Sequence, residues 1–213
     1  MDTRIELKQI GKKYRKEWIF RNVDLVFQSN KSYVIQGPNG SGKSTFLKLC
    51  ASYLTPTKGS IKFFIDNEEI AENDISAHIT LAAPYMELPE EFTPLEILDF
   101  HLGFKKFYDN LSKADFLQLI DLHHAKDKPL NKFSSGMKQR MKLGLAIVSQ
   151  SEMLFLDEPA INLDARGIEL YKNLIEKYHH DRIILVCSNN IKDEFEFCDT
   201  SINVADYKKS KNN

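Results

Sequence analysis

A chain of 213 residues with 42% apolar residues can bury a sizeable core as one large domain, or as a domain with a subdomain. Its 29 basic and 30 acidic side chains leave a formal net charge of −1, which provides no electrostatic footprint for nucleic acid or a membrane surface. Three scattered cysteines, Cys50, Cys187 and Cys198, make neither a disulfide framework nor a metal-ligand spacing, and read as small buried residues in a reducing compartment.

In chain order, the alternation in Ile5-Glu6-Leu7-Lys8-Gln9 predicts a half-exposed strand, and Gly11-Lys12-Lys13 predicts a turn. Tyr14 is a large aromatic in that basic, polar turn, open to ordinary packing or to stacking on a nucleotide base. Trp18-Ile19-Phe20 leads into a second strand at Val23-Asp24-Leu25-Val26-Phe27. The apolar run Ser32-Tyr33-Val34-Ile35 then predicts a buried strand, and Phe46-Leu47-Lys48-Leu49-Cys50 the first turns of a helix.

Between that strand and helix stands Gly37-Pro38-Asn39-Gly40-Ser41-Gly42-Lys43-Ser44-Thr45, which fits G-x-x-x-x-G-K-[ST] without a mismatch and reads as a phosphate-binding loop. Glycines at 37, 40 and 42 let the backbone curl and turn its N–H groups inward on a polyphosphate. The helix starting near Lys43 adds the positive end of its dipole. In such a loop Lys43 reaches the β- and γ-phosphates and the Ser44 hydroxyl ligates Mg²⁺.

Thr55-Pro56-Thr57-Lys58-Gly59 has turn chemistry, followed by strands at Ile61-Lys62-Phe63-Phe64-Ile65 and Ile79-Thr80-Leu81-Ala82-Ala83. From about 87 to 150 helical signals take over. Thr93-Pro94 starts a helix with Leu95, Leu98 and Leu102 on one side and Ile97, Phe100, Phe104, Phe107 and Tyr108 on the other. Two stripes mean burial on both sides or a face awaiting a partner. Ser112 caps a second helix, ending at His123-His124, and neighbouring histidines do not converge on a metal in a helix. His179-His180 reads likewise as a polar helix end.

Lys132-Phe133-Ser134-Ser135-Gly136-Met137-Lys138-Gln139-Arg140 precedes an apolar helix from Met141 to Val148; Arg140 is either buried support or part of a polar face. Met153-Leu154-Phe155-Leu156 is a continuous apolar run, hence a central parallel strand, ending in Asp157-Glu158-Pro159. A helix at about 165–178 and strands at Ile183-Ile184-Leu185-Val186-Cys187 and Ser201-Ile202-Asn203-Val204-Ala205 follow, and Lys208-Lys209-Ser210-Lys211-Asn212-Asn213 reads as a solvated tail. Ligands in open α/β sheets sit at strand ends. There Asp157 can hold Mg²⁺ through water and Glu158 can act as general base towards an attacking water.

Together these motifs resemble the ATP-binding cassette (ABC) ATPases, the nucleotide-binding components of ABC transporters, over roughly Ile5 to Ala205. Gly37 to Thr45 matches the Walker A loop, and Phe155-Leu156-Asp157-Glu158 closes Walker B. Phe133-Ser134-Ser135-Gly136-Met137 matches the signature segment, Asn162-Leu163-Asp164 the D-loop, and Tyr14 the base-stacking aromatic. The resemblance implies an α/β P-loop NTPase fold: a mainly parallel central sheet, an N-terminal antiparallel β part and an inserted helical subdomain. About 1–86 and 151–213 would form the core and about 87–150 the subdomain. It also implies ATP and Mg²⁺ as ligands and a head-to-tail homodimer in which Ser134, Ser135 and Gly136 of one copy meet the γ-phosphate held by the other.

Three departures from the family pattern stand out. Ala83-Pro84-Tyr85-Met86-Glu87 lacks the glutamine that follows the buried strand, with Tyr85 nearest its position. Asn189, in Ser188-Asn189-Asn190, stands where the family has a switch histidine. It cannot titrate but can hydrogen-bond a phosphate, and with Lys43 and Glu158 it makes the candidate catalytic set. The signature has Ser135 for a glycine and Met137 for a glutamine. Hydrolysis is therefore expected, but slow.

The leading expectation is an ATPase that drives a separate transmembrane permease, docking through Tyr85 to Tyr108. Two alternatives are a nucleotide-gated switch that barely turns over and a soluble cassette acting on nucleic acid, the latter disfavoured by the charge. No apolar run approaches the roughly 20 residues needed to span a bilayer. Met1-Asp2-Thr3-Arg4-Ile5-Glu6 carries no apolar leader core. The expected location is the cytoplasm, peripheral to the inner face of the cell membrane through the partner.

Overall fold

The computed structural model describes residues 1–179 and 181–208. His180 and the tail beyond Lys208, both read above, lie outside the described residues. The chain begins with strands β1 (Thr3–Tyr14), β2 (Glu17–Gln28) and β3 (Lys31–Gln36), then helix α1 (Lys43–Cys50). Strands β4 (Lys58–Ile65), β5 (Glu68–Glu69) and β6 (Ile79–Ala82) follow. Helices α2 (Pro94–Leu102), α3 (Lys113–Leu119) and α4 (Ser135–Val148) come next. The remainder is β7 (Met153–Asp157), α5 (Ala165–Tyr178), β8 (Ile183–Cys187), α6 (Lys192–Phe195) and β9 (Thr200–Asn203).

Two sheets form, in the orders β2-β1-β4-β5 and β6-β7-β8-β3-β9. The first is antiparallel, and in the second β3, β7, β8 and β9 run parallel. Every residue of β7 and β8 is buried, as their uninterrupted apolar spelling requires of strands covered on both faces. One expected turn is corrected. Gly11, Lys12 and Lys13 pair with Lys58, Phe20 and Trp18, so β1 continues to Tyr14 and the chain reverses at Arg15 instead. Strand β2 pairs with Lys12, Lys13 and Tyr14, while Gly11 O and Lys13 N bond to Thr57 on the other side, and these partners outweigh the local turn signal.

The described residues divide into two compact units: 1–81, 152–158 and 181–208 form one, 82–151 and 159–179 the other. The second thus takes in α5 as well as the helices expected between about 87 and 150. In the first unit the ring of Phe46, on α1, meets Phe20 and Phe27 of β2 edge-on, at centroid distances of 5.6 and 6.4 Å. Such contacts fasten the helix behind the phosphate loop to the antiparallel sheet.

In the second unit Thr93 and Glu96 form a capping box with Pro94 in the first turn of α2, as the spelling predicts. The helix stops at Leu102, so the expected long second stripe does not form. Ile97 and Phe107 are buried, whereas Phe100 and Phe104 are 64% and 75% exposed and lie against each other at 5.1 Å. Phe107 stacks on Phe116 at 4.6 Å. Arg140 proves to be support: its Nη1 donates to Asp121 Oδ2 at 2.8 Å, and Arg166 Nη2 reaches the same oxygen at 3.0 Å.

His101 stacks on Phe107, with Nε2 2.7 Å from Ser149 Oγ. Because Ser149 Oγ donates to Leu145 O at 2.6 Å, the imidazole N–H is the donor to Ser149. Burial, reinforced by the Lys105 charge, pushes the imidazole down from 6.5 to about 4. The folded state therefore favours neutral His101. Its contribution is intact above about pH 6.5 and is lost as pH falls towards 4, because the unfolded chain takes up the proton first. Urea midpoints measured from pH 7 to pH 4 are expected to fall more steeply in the natural chain than in His101→Gln.

Candidate functional site

Parallel register brings distant segments to one edge of the sheet. Cys187 at the end of β8 is level with Asp157 of β7 and with Ile35 of β3. The loops leaving those strands are the glycine-rich loop, the Glu158 turn and the Ser188-Asn189 turn, so they emerge side by side at the carboxyl ends. Asn39, Gly40, Gly42, Lys43, Ser44, Thr45, Glu158 and Asn189 line one cleft of about 450 Å³ there, together with Ile19 of β2. The sequence reading missed Ile19, since nothing in a strand's alternation says which outward residue overhangs a neighbouring loop.

The loop has the local conformation that its glycines were read to need. Gly42 sits at φ 104, and a side chain there would bring its Cβ to 2.3 Å from Ile19 Cγ2. Lys43 is buried, and its Nζ donates to Gly37 O at 2.8 Å and Pro38 O at 3.3 Å. The ammonium thus already lies across the mouth of the loop.

Asp157 is 2% exposed, and neither of its carboxylate oxygens has a hydrogen-bond partner. Burial pushes its carboxyl above the usual range; the adjacent Ser44 hydroxyl and the Lys48 and Lys43 charges oppose this, and Glu158 adds to it. Orphaned carboxylate oxygens beside a hydroxyl are the donor set of a hard divalent cation, so the residues present fit Mg²⁺. Glu158 follows at φ 47, its N–H bonded to Cys187 O at 2.9 Å. Asn189 Nδ2 donates to Glu158 Oε1 at 2.6 Å.

Tyr14 ends β1, 48% exposed, with Lys12 Nζ 5.5 Å over its ring. It does not line the cleft among the described residues. Ser134, Ser135 and Gly136 belong to the second unit. There Ser134 caps α4 by accepting from Met137 N at 3.2 Å, as its place in the sequence implied. Gly136 lies so close to the carbonyl of Asn162 that a Cβ there would fall 3.0 Å from it. Gln139, 3% exposed, donates to Pro159 O at 2.9 Å and fastens the same helix to the turn after Glu158.

One histidine expectation is corrected. His123 and His124 lie in a 3₁₀ turn beyond α3, and their ring nitrogens and an Asp121 oxygen fall within 4.8 Å of one another. The two guanidiniums already on Asp121 Oδ2 compete with any cation there.

The profile of the family described as "ABC transporter" matches residues 20–161. The lantibiotic transport ATP-binding protein SrtF of Streptococcus pyogenes is 28% identical over 197 residues, covering 90% of this chain and 82% of that protein. The uncharacterized ABC transporter ATP-binding protein YcbN of Bacillus subtilis is 28% identical over 193 residues; the chain spans 63% of its length, and 90% of this chain is covered. A putative ABC transporter ATP-binding protein from Pyrococcus furiosus has the same fold, with a TM-score of 0.78 at 20% identity, covering 96% of this chain and 98% of that one. So does an ATP-binding cassette solved as a dimer with ADP and Pi, with a TM-score of 0.77 at 23% identity and 93% of each chain covered.

Proposed function

This chain belongs to the ABC transporter ATP-binding family, and on that premise we propose that it is the ATP-hydrolysing subunit of a transporter, pairing head to tail on ATP and driving a separate membrane-spanning partner. The observation that carries this reading is the cleft that joins Lys43 and Ser44 to Glu158, next to the unpartnered carboxylate of Asp157.

In this mechanism the loop N–H groups of Gly37 to Thr45 and the Lys43 ammonium grip the β- and γ-phosphates, and Tyr14 stacks on the base. Ser44 and Asp157 would hold Mg²⁺, which when bound neutralises charge building on the phosphate oxygens. Glu158 accepts a proton from the water that attacks the γ-phosphate, yielding ADP and phosphate. Ser134, Ser135 and Gly136, at the amino end of the fourteen-residue helix α4, stabilise the γ-phosphate bound by the opposite copy. Pairing has two-fold symmetry, so each copy completes the other's site.

Among the described residues no helix is long and apolar enough to cross a membrane. The segment from Tyr85 to Tyr108 supplies the docking surface: Tyr85, Phe92, Phe100 and Phe104 are all exposed, an unusual amount of aromatic surface in one stretch. The cytoplasmic face of the membrane follows as the site of action. The test is Mg²⁺-dependent ATP consumption, with recovery of a transmembrane partner from detergent-solubilised membranes. The natural chain is expected to do both, and Phe100→Ser/Phe104→Ser to keep its ATPase activity while losing the partner. No ATP consumption, even with the membrane fraction present, defeats the proposal.

A further inference from the structure

The pairing of β1 with β4 ends at Gly11, while that with β2 runs on through Lys13 and Trp18 to Tyr14 and Glu17. A two-stranded ribbon is marginally stable by itself. Tyr14 stands at the tip of this ribbon, 48% exposed. A ring that must meet a nucleotide base there needs support from outside the ribbon.

The turn after α1 supplies it. Thr57 N donates to Gly11 O at 2.8 Å, and Lys13 N donates to Thr57 Oγ1 at 3.2 Å. These bonds hold the backbone of the ribbon. Lys12 holds the ring as well: its Nζ donates to Thr55 O at 2.7 Å and lies 5.5 Å over the centre of the Tyr14 ring. Lys13, next along the chain, is engaged with a different ring, that of Trp18, at 5.5 Å. A cation anchored by a carbonyl and set over an aromatic face attracts that face and covers it. The carbonyl belongs to the turn that follows α1, the helix whose first residues are Lys43 and Ser44. Lys12 thus connects the exposed ring to the element that bears the phosphate loop.

Building on the ATPase reading, in which Tyr14 stacks on the base, we infer that Lys12 is the positioning residue for that ring. Its ammonium closes one face of Tyr14 and fixes the ring relative to the phosphate loop. The base then meets the other face, in register with a triphosphate already gripped. Lys12 acts through Tyr14 and touches no phosphate.

ATP and inorganic triphosphate, which carries the phosphates without a base, separate these roles. On the full chain with Mg²⁺, KM and kcat for ATP are measured together with the inhibition constant of inorganic triphosphate. Tyr14→Ala is expected to raise KM about 5- to 100-fold, the scale of one base–aromatic stack. Lys12→Met keeps the stem and loses the charge. It should raise KM about fivefold, with kcat and inhibition by inorganic triphosphate within about twofold of the natural chain. Lys12→Arg, which keeps a cation and a donor, should recover most of that loss. Lys13→Met removes the same charge one residue away and should leave all three constants within about twofold. With Tyr14→Ala in place, adding Lys12→Met should raise KM by less than about twofold further, the non-additivity of residues acting as one unit.

The inference fails if Lys12→Met changes KM by less than about twofold, or if it weakens inhibition by inorganic triphosphate as much as it raises KM. It fails if Lys13→Met has the same effect, since Lys12 would then be one of several charges attracting the nucleotide. It fails too if Lys12→Arg, folded by its thermal midpoint, recovers nothing. A natural chain without ATP turnover would sink the ATPase reading and this inference with it. An active natural chain with an unimpaired Lys12→Met would sink this inference alone.

Discussion

Lys43→Ala abolishes ATP-dependent pairing of the chain and lowers ATP turnover by about 100- to 1000-fold, the loss typical when a donor to developing charge is removed. Nζ already donates to Gly37 O and Pro38 O, at 2.8 and 3.3 Å, so its position is set before any phosphate arrives. With the side chain 6% exposed, the ammonium has given up much of its water in advance. A triphosphate replaces two neutral carbonyls with charged acceptors, which adds charge–charge attraction to hydrogen bonds whose donor is already ionised. Alanine removes this exchange altogether. Light scattering with and without ATP reads the pairing directly, and the thermal midpoint without nucleotide checks that the loop still folds. ATP-driven dimers that survive the substitution would strip Lys43 of its role.

Glu158→Gln stops turnover by about 10²- to 10⁴-fold, the range of a lost general base, and leaves an ATP-bound pair that accumulates. The substituted side chain keeps an oxygen able to accept from Asn189 Nδ2, so the shape of the cleft is preserved and the loss is one of proton transfer. Rapid filtration with labelled ATP measures the trapped nucleotide, and gel filtration measures the pair. The experiment also separates two classes of function. A working ATPase gains a stable dimer as it loses its rate, whereas a nucleotide-gated switch that barely turns over changes little in either.

The parts of the site legible in the sequence are those made by consecutive residues. Gly37 to Thr45 curls because its own glycines permit the required backbone. Ser134 caps α4 because a serine before a helical run can accept from the N–H three residues on. The run Met153 to Leu156 had to be a covered strand, since no polar residue interrupts it. Tyr14 illustrates the limit. Its basic surroundings suggest a turn, but pairing with β2 carries the strand through Lys12 and Lys13 to the aromatic itself. The fate of the apolar residues after Ile97 is equally hidden, because Phe104, Phe107 and Tyr108 keep the helical spacing although they lie beyond the end of the helix.

By itself the amino-acid sequence determined the phosphate loop, the acids at a strand end and the family to which they point, because each depends on the spacing of near neighbours along the chain. Only the tertiary structure decided that Asn189 meets Glu158, 31 residues away, that Ile19 overhangs the loop, and that both oxygens of Asp157 are left without partners. Hydrophobic periodicity reports that a strand is buried but not which strand lies beside it or in what register. The level alignment of Ile35, Cys187 and Asp157 is a property of the assembled sheet, and it makes one cleft of three separate turns.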